Sequence, residues 1–200
     1  MKTVLLLLTV MGLAVSAPNG FAAPGKSSEA NVLARRGTEA ARNGQWDDAI
    51  EDLRKAHQMD RKYTPSLVAA LLGRAANHAA QQQFPEATAD YDEVLKLESK
   101  NKTALEGRAS MAMKSNDMDK AAAVYADLIK LDPKDIHYYS YRAYIFELKG
   151  DLKNAMAEND KILKLDKANA DALARKTRIE TRIAQEAANQ FPPPPPQGKP

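Results

Sequence analysis

A pattern of apolar and polar positions recurs four times along the chain. The segments are DDAIEDLRKAHQMDR, PEATADYDEVLKLES, DKAAAVYADLIKLDP and KNAMAENDKILKLDK, beginning at residues 47, 85, 119 and 153. They align on Ala49, Ala87, Ala121 and Ala155, which recur with a period of roughly 34 residues, lengthened by four in the first interval. A fixed period in this range is typical of a solenoid, in which each unit buries its apolar face against its neighbours.

A second helix is predicted before each of these segments. About twelve residues before each alanine is another small residue, namely Gly37, Ala75, Ala109 or Ala143. A larger residue lies four positions earlier, on the same face of a helix with 3.6 residues per turn: Leu33, Leu71, Leu105 or Tyr139. Small residues at one place on both helices let their backbones approach closely, so each unit is predicted to be a pair of antiparallel amphipathic helices.

This arrangement resembles the tetratricopeptide repeat family, whose unit is a helix-turn-helix of about 34 residues. In family order, the third unit reads Leu105, Arg108, Ala109, Ala121, Tyr125, Leu128 and Pro133. The resemblance implies an all-α, right-handed solenoid of about four repeats plus a C-terminal capping helix. Two departures stand out. Arg61, Ser99 and Lys167 replace the usual proline, and Asn159 replaces the large residue seen as Leu53, Tyr91 and Tyr125.

The repeat predicts the domain boundaries. The repeat domain spans residues 30–190, with repeats near 30–63, 64–101, 102–135 and 136–169 and a capping helix at 170–190. Residues 23–29 form a linker and 191–200 a proline-rich tail. Four extra residues, TPSL, precede the second unit and should lengthen its first helix by about one turn. Thr64 is expected to cap that helix and Pro65 to begin it.

Residues 1–22 have the order of a secretory signal peptide. Lys2 is followed by an apolar run from Val4 to Val15 and then by small residues, which favours cleavage after Ala22. The run is shorter than the roughly 20 residues that a spanning helix needs. We expect a mature chain that is periplasmic or secreted and has no stable membrane span. The alternative is an uncleaved anchor.

The tail FPPPPPQGKP contains five successive prolines, which cannot be helical and favour an extended polyproline II rod. Two interpretations remain open: a semi-rigid spacer, or a ligand motif that docks on a partner.

The composition excludes several classes of chemistry. The net charge of +3 arises from 29 basic and 26 acidic residues, so no nucleic-acid partner is expected. The absence of cysteine excludes disulfides and thiolate sites. His57, His78 and His137 do not share a helix at ligand spacing, and no glycine-rich phosphate loop or GxSxG motif is present. We predict no enzyme, no cofactor and no metal site.

An arginine precedes the small residue of every first helix: Arg36, Arg74, Arg108 and Arg142. One interpretation is that these arginines form a row of anion-binding sites. Packing of the side-chain stems with local ion pairs is the favoured one.

The candidate binding face is the face of the first helices opposite their packed residues, expected to be a concave groove with an apolar, tyrosine-lined middle and two basic ends. The expected partner is a peptide or protein segment of unknown identity. The basic and asparagine clamp of the family's chaperone-binding members is absent. The alternatives are a structural bridging subunit of an envelope assembly, which uses helix ends and edges, and a small ligand-binding protein or enzyme. The groove residues are Arg35, Thr38, Arg42, Leu72, Ala76, Glu106, Ser110, Met113, His137, Tyr141, Tyr144, Arg175, Arg178 and Arg182.

Overall fold

The computed structural model describes residues 26–190, and within that range the chain forms nine α-helices, one 3₁₀ turn and no strand. The 3₁₀ turn is Arg61–Tyr63. The expected signal peptide and tail lie outside the described residues. The helices are α1 (Lys26–Arg42), α2 (Trp46–Met59), α3 (Thr64–Ala80), α4 (Phe84–Leu97), α5 (Lys102–Lys114), α6 (Met118–Leu131), α7 (Ile136–Leu148), α8 (Leu152–Leu165) and α9 (Ala170–Gln190).

Each helix packs chiefly on the helices next to it in sequence. The tightest pairs are α1 with α2, α3 with α4, α5 with α6 and α7 with α8, and α9 packs on α8. The described fold is therefore an α-solenoid of helix pairs followed by a C-terminal helix, as the sequence predicts.

The turn within each pair repeats as regularly as the helices do. Its left-handed residue is Gly44, Gln82, Asn116 or Gly150, with φ between 59° and 74°. Glycine has no Cβ to clash in this conformation, and asparagine tolerates it better than most residues. These turn positions recur with the same intervals as the four aligned alanines, so the turn belongs to the repeat.

The close contact within each pair is made by the predicted small residues. All eight are buried, and most have no accessible surface. At Gly37, an added Cβ would lie 2.9 Å from the backbone oxygen of Ala49 and 2.8 Å from a carbon of Leu53. The first two helices therefore touch backbone to backbone, which a larger side chain would prevent.

The four inserted residues lengthen α3, which has 17 residues where α5 and α7 have 13. The predicted cap, however, is wrong. Thr64 is the first residue of α3, and its hydroxyl donates to the backbone oxygen of Arg61 at 2.6 Å. The preceding 3₁₀ turn brings Thr64 into helical conformation one residue too early for it to cap.

Candidate functional site

The predicted groove residues lie on the first helices of the pairs and on α9, and none of them is fully buried. The third and fourth units bring five of them together around one pocket of about 400 Å³ between α5 and α7. We call it the α5–α7 pocket. Its predicted members are Glu106, Ser110, Met113, His137 and Tyr141, and Lys114, Tyr125, Asp135 and Tyr138 complete the lining.

Stacked tyrosines form one wall of the α5–α7 pocket. The rings of Tyr125 and Tyr141 are nearly parallel, with centroids 4.9 Å apart. Tyr138 lies next to them and donates from its hydroxyl to Glu106 at 2.6 Å. Burial raises the pKa of Tyr125 and of Tyr138 to about 12, so both hydroxyls keep their protons at neutral pH. The wall is therefore apolar and aromatic, with hydroxyl donors at its edge.

The pocket exists because one repeat position changes from glycine to tyrosine. In the second unit this position is Gly73, which lies under the ring of Trp46, and in the third it is Gly107, which lies under the ring of Tyr91. An added Cβ would come within 2.4 Å and 2.2 Å of these rings. In the fourth unit the position is Tyr141. The ring of Tyr125, from the preceding unit, therefore stacks on a tyrosine ring instead of lying against the backbone of a glycine.

The projection that selects the groove residues of α3 also places Gly73 in the groove floor, where a ligand backbone would approach it. That expectation is wrong, because the ring of Trp46 occupies the space over Gly73. Its neighbour Leu72 is half-buried and Ala76 is exposed, so α3 presents a shallow apolar surface without the glycine.

An exposed apolar row continues from the pocket along α7. Tyr141 is 49 % exposed, Tyr144 46 % and Leu148 54 %. Their spacing of three and four residues places them on one face of the helix. We call Tyr141, Tyr144 and Leu148 the α7 row.

The basic residues at the two ends are paired with acids of the same chain. Arg178 donates two hydrogen bonds to Glu147, at 3.0 and 2.9 Å, and Arg175 lies 3.3 Å from the same carboxylate. Arg182 pairs with Glu186 in α9. At the other end, Arg42 lies 3.5 Å from Glu39, while Arg35 and Thr38 lie on α1 away from the α5–α7 pocket. The positive ends are thus largely compensated.

The arginine row makes ion pairs within the solenoid, as predicted. Arg74 forms two hydrogen bonds with Asp90, at 3.0 and 2.6 Å, and Arg142 lies 2.8 Å from Glu158. Arg36 pairs in the same way with Asp52, and this hydrogen bond lowers the pKa of Asp52. Each partner lies sixteen residues after its arginine.

The third unit breaks this pairing rule, because Val124 stands where the other units have a carboxylate. Arg108 turns instead to Asp92 of the preceding unit, at 3.1 Å. No arginine of the row is left as part of an anion ladder.

The junction between the fourth unit and α9 contains Asn159, at the repeat position of Leu53, Tyr91 and Tyr125. Asn159 is fully buried, and its amide donates to the backbone oxygen of Ala172 at 2.9 Å. When the units are aligned, Arg175 of α9 falls at the position of Gly107 and Tyr141. At this junction the large residue is therefore on α9, whereas at the junction before α5 it is Tyr91, on the preceding helix α4. The amide oxygen of Asn159 and two nitrogens of Arg175 are buried without hydrogen-bond partners. The last junction is thus more polar than the others.

The part of the chain that the structure describes was compared with the expectation of no metal site and no membrane span. Residues 26–190 contain no group of three or more histidine, aspartate or glutamate side chains placed to hold a metal ion. Within the same range, no helix is both long enough and apolar enough to cross a membrane.

Comparison with known proteins supports the family that the sequence resembles. Residues 72–136 match the model of the tetratricopeptide repeat. No curated protein matches the chain in sequence.

Solved structures share the fold. A tetratricopeptide repeat protein from Parabacteroides merdae ATCC 43184 aligns with a TM-score of 0.56 and 22 % identity, over 85 % of this chain and 69 % of that one. YrrB, described as a TPR protein with an unusual peptide-binding site, aligns with a TM-score of 0.55 and 14 % identity, over 76 % of each chain. The first TPR of Spaghetti (RPAP3), bound to the HSP90 peptide SRMEEVD, aligns with a TM-score of 0.51 and 19 % identity, over 58 % of this chain and 93 % of that one.

At these identities the structures establish the fold alone. Residues 72–136 thus match the tetratricopeptide repeat, and the helix pairs of residues 26–190 share their fold with solved tetratricopeptide repeat structures.

Proposed function

We propose that the chain is an exported protein-interaction module, or scaffold, that binds a peptide or protein segment in the groove formed by its first helices. The observation that carries the proposal is the α5–α7 pocket together with the α7 row. It is a concave, tyrosine-lined site beside a strip of exposed apolar side chains.

The chemistry of this surface suits a peptide. Ligand sites are concave and mostly apolar, with a few polar groups that fix orientation. Here Met113 and the stacked tyrosines offer apolar area, and Glu106, Ser110 and His137 offer hydrogen bonds around them. Tyrosine presents a large rigid ring with a polar tip, which makes it frequent among residues that dominate binding energy. A pocket of about 400 Å³ accommodates one or two side chains of a segment that runs on along α7.

Proteins of the same fold support the class of function by analogy. YrrB has a peptide-binding site and the RPAP3 repeat was solved with a bound peptide. Because one fold hosts many functions, these structures support a binding function by analogy of fold. Neither comparison specifies the ligand of this chain.

Export is the second part of the proposal. It is supported by the order of charged, apolar and small residues at positions 1–22, which favours cleavage after Ala22. The mature module would then work in the periplasm or outside the cell.

A bridging role is the second candidate, because the last helix also exposes apolar side chains. Leu173 is 47 % exposed and Ile183 is 45 % exposed on α9, at the end of the solenoid. A subunit that joins larger assemblies through its ends would use such residues.

The two candidates are separated by a matched pair of double variants. The first variant combines Tyr141→Ala with Tyr144→Ala, which removes two side chains that are 49 % and 46 % exposed in the groove. The second combines Leu173→Ala with Ile183→Ala, which removes two side chains of similar exposure, 47 % and 45 %, from the end of the solenoid. We expect the tyrosine variant to weaken partner capture by roughly 2 kcal/mol, about thirty-fold in Kd, because anchor residues cost this much when truncated. The end variant should capture normally. The reverse pattern, with both variants folded by circular dichroism, would favour bridging.

A further inference from the structure

A second pocket lies outside the groove, between α4, α5 and α6. Its volume is about 420 Å³, and it shares no lining residue with the α5–α7 pocket. We call it the α4–α6 pocket. Its apolar lining includes the buried side chains of Met111 and Val124, and Arg108 contributes a guanidinium group. Neither the groove nor the exposed end of α9 accounts for this pocket.

The α4–α6 pocket coincides with the one unit that has lost the carboxylate of its arginine. In the second unit, Nε and Nη2 of Arg74 donate two hydrogen bonds to Asp90, at 3.0 and 2.6 Å. Arg36 of the first unit uses the same two nitrogens for the equivalent aspartate. In the third unit the equivalent residue is Val124, whose side chain cannot accept a hydrogen bond, and both it and Arg108 line the pocket.

The pairing of Arg108 with Asp92 leaves this edge of the guanidinium available. The hydrogen bond to Asp92 comes from Nη1, and within residues 26–190 the structure shows no acceptor for Nε or Nη2 of Arg108. Arg74 demonstrates that both positions can be filled at once, because its Nη1 donates to Asp47 at 2.6 Å while its other two nitrogens hold Asp90. Arg108 can therefore keep Asp92 and bind a second carboxylate.

We propose that the α4–α6 pocket binds a small aliphatic monocarboxylic acid. The ligand's carboxylate takes the place of the missing acidic side chain on Nε and Nη2 of Arg108, and its apolar chain packs against Met111 and Val124. A guanidinium fork matches a carboxylate with two parallel hydrogen bonds, which is the geometry already seen at Arg74. The inference is independent of the proposed function, since it concerns a different pocket and a different class of ligand.

The size and charge of the pocket favour one carboxylate on a short apolar chain. A volume of about 420 Å³ is near the lower end of the range for small-molecule sites, roughly 300–1,000 Å³. The other charged groups of the lining are Asp92, which Arg108 holds, and Lys120, which pairs with Asp117 at 2.6 Å. A second carboxylate on the ligand would lie against apolar side chains or near these acids, which is unfavourable.

Hexanoate is a suitable probe, because it carries one carboxylate on a short aliphatic chain. It is titrated into the full chain at neutral pH, and backbone amide signals are followed by NMR. We expect saturable shifts at Ala112 and Val124, unchanged signals in α1, and a Kd on the order of 1 mM for a ligand of about eight heavy atoms. Acetate lacks the apolar chain and hexanamide lacks the charge, so each should bind at least roughly ten-fold more weakly.

The decisive variant restores the carboxylate that the other units have. In Val124→Asp, the aspartate should pair with Arg108 as Asp90 pairs with Arg74, and hexanoate binding should fall by roughly ten-fold or more. Arg108→Lys keeps the charge but loses the fork, so it should also weaken binding, and it provides the test if Val124→Asp does not fold. Arg54→Gln is the matched control, because it likewise lowers the net charge by one but lies outside the pocket, and it should bind hexanoate normally.

Four results would overturn the inference. Hexanoate causes no saturable shift at Ala112 and Val124; hexanamide binds as tightly, which would make the pocket an apolar cavity without carboxylate recognition; acetate binds as tightly, which would leave only an accessible cation; or a variant at position 124 or 108 that is folded by circular dichroism binds hexanoate as the unaltered chain does. Partner capture by the tyrosine double variant is a separate measurement, so failure of either proposal leaves the other standing.

Discussion

For Gly107→Ala, helix propensity predicts a higher free energy of unfolding and packing predicts a lower one. We expect the packing effect to dominate. Gly107 is inside α5, where alanine is normally favoured by about 1 kcal/mol. In this fold, however, an alanine Cβ would lie 2.2, 2.5 and 2.6 Å from three carbons of the Tyr91 ring. Tyr91 is 8 % exposed and belongs to a cluster of buried apolar side chains, so a shift of its ring would disturb its neighbours.

The magnitude follows from these two opposing terms. Overpacking of a filled core typically costs 1–3 kcal/mol, and three ring contacts below 3.0 Å place this site at about the upper end of that range. Subtracting the propensity gain of about 1 kcal/mol leaves a net destabilisation of about 1–2 kcal/mol. For a chain of this size, each kcal/mol lowers Tm by roughly 2–4 °C.

A double-mutant cycle isolates the contact with the ring. Urea unfolding, followed by circular dichroism, is measured for Gly107→Ala, Tyr91→Leu and the double variant. In the Tyr91→Leu background the clash is relieved, so Gly107→Ala should be neutral or stabilising. Ser110→Ala, in the same helix at a half-buried site, is the propensity control and should be mildly stabilising. If Gly107→Ala stabilises the otherwise unaltered chain as much as it does the Tyr91→Leu variant, the account of this junction is wrong.

Three further predictions concern the core, acid stability and processing. Ala121→Leu should lower the unfolding free energy by roughly 1–3 kcal/mol in urea titration, because Ala121 is fully buried at a helix contact; an unchanged midpoint would refute that contact. The hydrogen bond from Arg36 lowers the pKa of Asp52, so its stabilisation is present above about pH 4 and lost as pH falls below it. Asp52→Asn should flatten this acid dependence, and an identical pH profile would contradict the pair. Mass spectrometry of exported protein should show Ala23 at the N-terminus, whereas an intact Met1 would exclude cleavage.

The helices were predictable because their signals are local and repeated. The alanine period, the small residues and the apolar faces are all visible within a window of one unit. Two further signals were equally visible in the sequence and were missed. One is the left-handed turn position of Gly44 and Gly150, and the other is the carboxylate sixteen residues after Arg36 and Arg74. Each becomes clear once the units are aligned.

The junctions between units were harder to predict because they depend on pairs of residues from different units. Nothing local at Gly73 shows that the ring of Trp46 covers it. The same holds for Arg178, which reaches Glu147 thirty-one residues earlier and thereby loses its role as a free positive charge. Five residues that line the α5–α7 pocket were named from the sequence, but Tyr125, whose ring stacks on Tyr141, was recognised only as a large residue of the repeat.

The most direct test of the central claim is photo-crosslinking in the cells that make the protein. A photoreactive phenylalanine analogue is placed at position 144 in the α7 row or at position 173 on α9, two sites with nearly equal exposure. The peptide-binding account predicts a discrete partner crosslinked from position 144, abolished by Tyr141→Ala, and none from position 173. A partner crosslinked from position 173 alone would contradict it.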